Sequence, residues 1–303
     1  MMLESEALTV YQPGRRAADF LALTKPRVVA MVLLTTLVGF YLGTRVGALD
    51  YLRLLATLVG TALAAGGTLA LNQYLEREAD ARMLRTRERP LPDGRLAPLD
   101  ALIFGATLTA LGVLYLALAV DPLPALVTAV VSTTYLFAYT PLKSRTSLCS
   151  VVGAVPGALP PVAGWAAASG DLGLGAWVLF AIMFLWQIPH TLAIAHLYRD
   201  DYARAGIQVL PVVEPGGAST GRQIISNSLA LLAVALLPTL IGLAGAVYFA
   251  VALVLGLTLL ALSVRLARSG TAADARRLLF ATLLHLPILL ATMAADKVPV
   301  APW

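Results

Sequence analysis

The sequence predicts an all-α, polytopic membrane protein: nine transmembrane helices around a central cavity, capped by loops on one side. Three observations carry this expectation. The 303 residues are 59% hydrophobic and only 13% charged, with a mean hydropathy of +0.81, more apolar surface than a water-soluble domain of this size needs. The apolar residues fall into nine runs, each close to the roughly 20 residues that cross a bilayer as a helix. The basic residues gather in alternate connections between those runs.

In chain order, the first 20 residues are polar and carry Glu4, Glu6, Arg15, Arg16 and Asp19. They lack the apolar region of a cleaved signal peptide, so the first span is expected to be its own insertion signal. Residues 1–26 then form a cytoplasmic segment. Thr24 can cap the first span and Pro26 suits its first turn. The spans are expected at about 27–46, 53–75, 98–119, 122–140, 148–168, 174–197, 223–243, 245–265 and 276–295. Together they make one transmembrane domain, 27–295, followed by a short extracytoplasmic tail, 296–303. Gly153, Pro156, Gly157, Pro160, Pro161, Gly164 and Pro189 lie inside the fifth and sixth spans, where they imply close packing and kinks that shape a cavity.

With the N-terminus inside, only Arg45, Arg53 and Lys297 of the 22 Lys and Arg residues fall on the outer side. This is the positive-inside pattern of a plasma-membrane protein, and an odd number of spans puts the C-terminus outside. The same topology accounts for the basic pI near 9.5. Nucleic acid is not an expected partner, because no basic run with interleaved aromatics stands in a soluble domain. The single cysteine, Cys149, excludes an intrachain disulfide and a four-cysteine metal site.

The chemistry concentrates in two long inside loops, 76–97 and 198–222. Asn72, Glu76 and Asp80 are each four residues apart, so a helix keeps them on one face, drifting roughly 40° per step. Oxygen ligands stacked at a membrane surface suit a hard divalent cation such as Mg²⁺. Asn72 stands within an apolar span, where a polar side chain faces a cavity. The following Arg85-Thr86-Arg87-Glu88-Arg89-Pro90 is dense in phosphate-binding side chains. Cation, phosphate and membrane together point to a lipid diphosphate; the competing reading is a polar helix end anchored at the interface. The second loop offers Asp200 and Asp201, with Arg204 beside them. Adjacent carboxylates cannot share a helix face, so ligation there needs loop geometry; a solvated loop is the alternative. Lys143 and Arg145 sit in a short inside loop, and Lys25 and Arg27 at the start of the first span; each pair can meet phosphate or merely anchor the helix. His190 follows Pro189 inside the sixth span and should face the cavity, to touch an acceptor substrate or to bond between helices. No nucleotide-binding loop, Ser/His/Asp arrangement or Gly-rich dinucleotide turn is present.

Asn72-x3-Glu76-x3-Asp80-x2-Met83-x-Arg85-Thr86-x2-Arg89-Pro90-Leu91 resembles the first aspartate-rich motif of the UbiA-type intramembrane prenyltransferases, in the form found in the heme O synthase (protoheme IX farnesyltransferase) branch. Four further segments agree with that branch: Leu23-Thr24-Lys25-Pro26-Arg27; Tyr139 to Thr146; Gly157-Ala158-x-Pro160-Pro161-x-x-Gly164-Trp165; and Trp186-Gln187-Ile188-Pro189-His190 running on to Asp201-Tyr202-x-x-Ala205-Gly206-Ile207. The similarity spans nearly the whole chain.

The resemblance implies transfer of the farnesyl group of farnesyl diphosphate to a vinyl group of heme b, with addition of water, giving heme O and diphosphate. It implies that Asn72, Glu76, Asp80 and Asp201 are Mg²⁺ ligands, with Asp200 part of the reduced second motif. By the same resemblance Arg89, Lys143 and Arg145 would meet the diphosphate and His190 the heme; Lys25, Arg85 and Arg204 are further candidates for the diphosphate from their place in the basic loops. An enzyme that makes heme A from the product is a candidate downstream partner. The sequence departs from the branch at Cys149-Ser150, where Asn-Ile is frequent, and at Gln208-Val209, where Pro-Met is frequent. The second motif also lacks the four-residue-spaced aspartate pair of other superfamily members. Two other readings stay open: a prenyltransferase for an aromatic quinone-precursor ring, and a transporter of an anionic solute. The latter would show repeats with broken helices in matching halves, and no clear duplication is visible.

Overall fold

A computed structural model describes residues 13–44 and 49–298; residues 1–12, Arg45 and residues 299–303 of the expected tail lie outside the described residues. Nine helices among the described residues are long and apolar enough to span a membrane. They follow a shorter helix, α1 (Pro13–Leu23). The spans are α2 (Pro26–Gly43), α3 (Tyr51–Arg82), α4 (Pro98–Ala119), α5 (Pro122–Leu142), α6 (Cys149–Ser169) and α7 (Leu174–Leu197). After two short helices, α8 (Arg199–Arg204) and α9 (Leu210–Val213), come α10 (Ala218–Leu240), α11 (Ala246–Ser269) and α12 (Ala272–Ala295). The one strand-like pairing among the described residues is a single bridge, Ala244 to Lys297.

The expected spans fall within a few residues of these, with four differences of consequence. First, α3 does not stop at the membrane edge. The segment Leu71–Arg82 is mostly strong helix formers (Leu, Gln, Glu, Arg, Ala), so the helix runs seven residues past the expected end at 75 and carries Glu76 and Asp80 with it. Second, the polar N-terminal segment holds α1, which buries Leu23 and Asp19 and leaves Leu21 exposed; Phe20 packs against Phe104 with ring centroids 5.0 Å apart. Third, the 198–222 segment is half helical rather than an open loop, and Asp200 and Asp201 sit in the first turn of α8. Fourth, Thr24 does not cap α2; its hydroxyl turns back to the Leu21 carbonyl at 2.8 Å. Lys25 occupies the cap with φ 49°, the one non-glycine positive φ among the described residues. Pro26 disfavours the right-handed helical region for the residue before it, and the left-handed alternative costs roughly 1–2 kcal/mol.

Glycines set how closely the spans approach. A Cβ on Gly39 of α2 would lie 2.0 Å from the Pro161 carbonyl oxygen of α6, and one on Gly164 of α6 would lie 2.0 Å from the Thr36 carbonyl oxygen of α2. The two backbones therefore touch, as small-residue crossings in membranes allow. Gly67 and Gly112 do the same between α3 and α4. α6 is broken at Leu159, because Pro160 has no N–H to continue the ladder. Residues Thr134–Tyr139 of α5 wind as a π-helix. α12 returns to pack on α2 and closes the ring of spans. Just beyond it, the Lys297 ammonium donates to the Tyr41 and Thr44 carbonyls, each at 2.6 Å, a favourable charge at the C-terminal end of α2.

The ring encloses a cavity of about 570 Å³. Met31 of α2, Leu69 of α3, Tyr135 of α5, Gly157 of α6, His190 of α7 and Leu286 of α12 all line it. It runs from the membrane interior to Tyr139, Lys143 and Tyr202 at the basic end of the bundle.

Candidate active site

At that basic end three acceptor side chains each meet one cation. Asn72 and Asp80 are almost fully buried. Asn72 Oδ1 accepts from Lys25 Nζ at 3.0 Å, and its amide nitrogen donates to the Thr140 hydroxyl at 3.2 Å. Glu76 Oε1 lies 2.6 Å from Lys143 Nζ, a charge contact without hydrogen-bond alignment. Asp80 Oδ2 accepts from Arg89 Nη1 at 2.7 Å. The Thr86 hydroxyl donates to the Asp80 carbonyl at 2.9 Å, which folds the arginine loop back over the helix end.

This crowding moves the two lysines in opposite directions. Burial, followed by the Arg89 and Lys143 charges, lowers the Lys25 ammonium to about 7. Burial also works against the Lys143 ammonium, but the electrostatic pull of Tyr139 and Glu76 outweighs that and holds it well above the ordinary lysine value. Its Nζ stands 4.4 Å from the centroid of the Tyr139 ring.

The second motif divides. Asp201 is buried and its carboxylate accepts from the Leu84 amide at 2.9 Å, from the Arg85 amide at 3.5 Å and from Arg204. Burial raises its pKa, but the Leu84 N–H, Arg204 and the Arg85 N–H together overcome this and hold the carboxyl below its usual range. As placed, Asp201 ties α8 to the arginine loop. Asp200 points away: its side chain is 83% exposed and, among the described residues, meets only its neighbour Arg199, at 3.5 Å. The adjacency that made the pair conspicuous in sequence forces one carboxylate outward once α8 is helical. Arg145 is exposed in its loop. Arg85 is exposed and lies over the Tyr198 and Tyr202 rings, 5.3 and 5.8 Å from their centroids.

Among the described residues no three His, Cys, Asp or Glu side chains converge as a metal centre; the converging oxygens are Glu76, Asp80 and the amide of Asn72. They nonetheless fit a Mg²⁺–diphosphate site. Asp80 Oδ1 is buried with no hydrogen-bond partner, an expense that ligation would remove, and Mg²⁺ characteristically takes only one or two carboxylates together with phosphate oxygens and water.

A family model described as the UbiA prenyltransferase family matches residues 32–285. This chain belongs to that family. Similar relatives include the protoheme IX farnesyltransferases of Solibacter usitatus, 48% identical with 92% of this chain and 98% of the relative covered, and of Koribacter versatilis, 42% identical with 97% and 98% covered. The protoheme IX farnesyltransferase of Myxococcus xanthus is 43% identical, with 93% and 96% covered. Solved UbiA-type structures share the fold. A digeranylgeranylglyceryl phosphate synthase superposes with a TM-score of 0.74 at 14% identity, covering 93% of this chain and 98% of that one. A UbiA homolog from Archaeoglobus fulgidus, bound to GPP and Mg²⁺, gives 0.64 at 16% identity, covering 91% and 99%. The chain is thus a multi-pass membrane protein of the UbiA fold.

Some contacts of the candidate site could not be read from the sequence. Thr86 and Thr140 lie in segments that carry the resemblance, but their bonds to the Asp80 carbonyl and the Asn72 amide exist only once the chain is folded. Thr282 of α12, whose hydroxyl lies 2.9 Å from His190 Nδ1, is 92 residues away in the chain. Gln187, part of the Trp186–His190 segment that carries the resemblance, lines the cavity together with His190.

Proposed function

We propose that this chain transfers the farnesyl group of farnesyl diphosphate to a vinyl group of heme b, with addition of water, giving heme O and diphosphate. The observation that carries the proposal is the junction of a cation-rich carboxylate cluster with an apolar cavity in a chain 48% identical to a protoheme IX farnesyltransferase. The diphosphate would sit at the cluster, where Lys25, Arg89 and Lys143 can turn from their carboxylate and amide partners to phosphate oxygens. Arg85 and Arg204 stand at the rim. Asn72, Glu76 and Asp80 would hold Mg²⁺, which when bound acts as a Lewis acid on the departing diphosphate. Preorganised cations stabilise the leaving group, so the allylic C–O bond can ionise in a site that needs no nucleophile of its own. The prenyl chain and porphyrin share the cavity, and holding them adjacent directs the allylic cation to the vinyl carbon. Asp201 serves by keeping the Leu84–Arg89 loop over the cluster.

The reading also puts the basic end at the inner face of the cell membrane, with the 1–26 segment inside and the 296–303 tail outside. The test is an assay of purified protein with heme b, farnesyl diphosphate and Mg²⁺, analysed by mass, against a parallel arm with a hydroxybenzoate acceptor. Heme O from the first arm and nothing from the second is expected; the reverse replaces the acceptor. Glu76→Gln and Asp80→Asn are each expected to lower Mg²⁺-dependent turnover by about 10²-fold or more while inserting normally. Wild-type turnover in either removes the metal assignment.

A further inference from the structure

We propose that His190 is the base for the water-addition step, held by Thr282 in the tautomer that the step requires; this rests on the transfer to heme b proposed above. Thr282 is buried on α12, and its hydroxyl hydrogen is already committed, because Oγ1 donates to the Leu279 carbonyl at 2.6 Å. A hydroxyl has one hydrogen to give. Towards His190 Nδ1, 2.9 Å away, Thr282 Oγ1 therefore accepts. The imidazole carries its proton on Nδ1, and Nε2 is left as a lone-pair acceptor. The ring plane is fixed as well. Trp186, one turn earlier on α7, stacks on it with centroids 4.8 Å apart and planes within 16°, while Trp186 Nε1 donates to the Thr282 carbonyl at 3.0 Å. Both polar contacts thus end on one residue of α12.

His190 lines the cavity, and among the described residues no protein group bonds its Nε2. Gln187 lies three residues before it on the same face of α7, close enough for a side-chain neighbour, and also lines the cavity. Its amide nitrogen donates to the Met183 carbonyl at 3.0 Å and to the Ala154 carbonyl at 3.4 Å. Two carbonyls on the nitrogen fix the amide orientation, so Oε1 is the atom left as acceptor. Gly157 makes the space for it: a Cβ there would stand 2.0 Å from Oε1. Two acceptors on neighbouring positions of one helix face suit a molecule with two hydrogens to donate, which is water.

The step balances without any further reagent. The farnesyl C1–O bond breaks and diphosphate leaves with its electron pair. The vinyl π pair forms the new bond to C1 and leaves a cation on the carbon attached to the pyrrole. Water oxygen bonds that carbon, its proton passes to His190 Nε2, and the proton is then released to solvent. Without the base, the cation instead loses a proton from the adjacent CH₂, giving an alkene lighter than heme O by one water.

The experiment is the ratio of hydrated to dehydrated adduct, by mass, from full-length protein in nanodiscs with heme b, farnesyl diphosphate and Mg²⁺. Absence of any adduct from wild type counts against the transfer itself and not against His190. Thr282→Val keeps the shape and loses the acceptor oxygen. With total adduct largely retained, it is expected to lower the ratio at least ~10-fold, short of the roughly 10²-fold or more that losing a general base outright typically costs, because the base remains but without its fixed tautomer. Thr282→Ser restores the ratio. His190→Asn, which keeps a group near Nδ1 but removes Nε2, repeats the Thr282→Val result and serves if that variant does not fold. An unchanged ratio in Thr282→Val or His190→Asn overturns the proposal, as does a Thr282→Ser variant no better than Thr282→Val. Loss of all adduct from folded Thr282→Val also overturns it, because that places His190 in heme binding.

Discussion

At the scale of single residues, the fate of the Asp200–Asp201 pair shows what adjacency in sequence conceals. Both looked like ligands, yet one turn of helix gives Asp201 two backbone amides and a guanidinium and gives Asp200 solvent. Asp200→Asn is therefore expected to keep activity within about twofold, since exposed charge pairs contribute little. Asp201→Asn is expected to loosen the arginine loop, visible as faster amide exchange over residues 83–91 and a raised KM for farnesyl diphosphate. The pH dependence follows from the lowered Asp201 pKa. A carboxyl whose pKa is lower folded than unfolded stabilises the folded state above the unfolded value and loses that contribution as pH falls through the folded one. Loop protection in the wild type is thus expected to hold from neutral pH to about 4 and to fade below it, while Asp201→Asn shows no such step. The same four-residue arithmetic worked for Asn72, Glu76 and Asp80 because α3 is an unbroken helix through all three.

At the scale of elements, apolar runs and prolines gave the spans, and the differences came where side-chain propensity outlasted hydrophobicity. α3 continues to Arg82 since helix formers need no bilayer to remain helical, and that overrun lifts Glu76 and Asp80 to the level of the arginine loop. Sequence showed the glycines and prolines of α6 but not which span they would touch. Gly39 faces the Pro161 carbonyl, a backbone atom that cannot move aside, whereas the nearest atom to a Cβ on Gly66 is the Thr24 side chain at 3.3 Å. Gly39→Leu is expected to cost upwards of about 2 kcal/mol by forcing the spans apart, and Gly66→Ala to be close to neutral. Thermal unfolding in one detergent compares the two. The π-helical stretch of α5 had no signature in sequence: Thr134–Tyr139 is ordinary span composition, and only the packed neighbours decide the extra residue in the turn.

At the scale of the whole molecule, the charge asymmetry that predicted nine spans also predicts orientation. In a Cys149→Ala background, a cysteine at position 87 in the arginine loop is expected to be shielded from an impermeant maleimide in intact cells. One at position 51, exposed at the opposite end of the bundle, is expected to react, and equal labelling would overturn the orientation. What the sequence by itself determined was local or compositional: the membrane class from hydropathy, the spans from apolar run length, the motif face from helical period, and the UbiA resemblance from residues at fixed spacing. What the tertiary structure alone decided was which distant groups meet: Lys25 with Asn72, Lys143 with Glu76, Asp201 with the Leu84 amide, Thr282 with His190. The physical reason is that helical periodicity relates residues within a few turns, whereas a hydrogen bond between spans depends on how two separate helices are rotated and how deeply they cross. Side-chain volumes across the entire bundle set that rotation and depth, and no short stretch of sequence contains them.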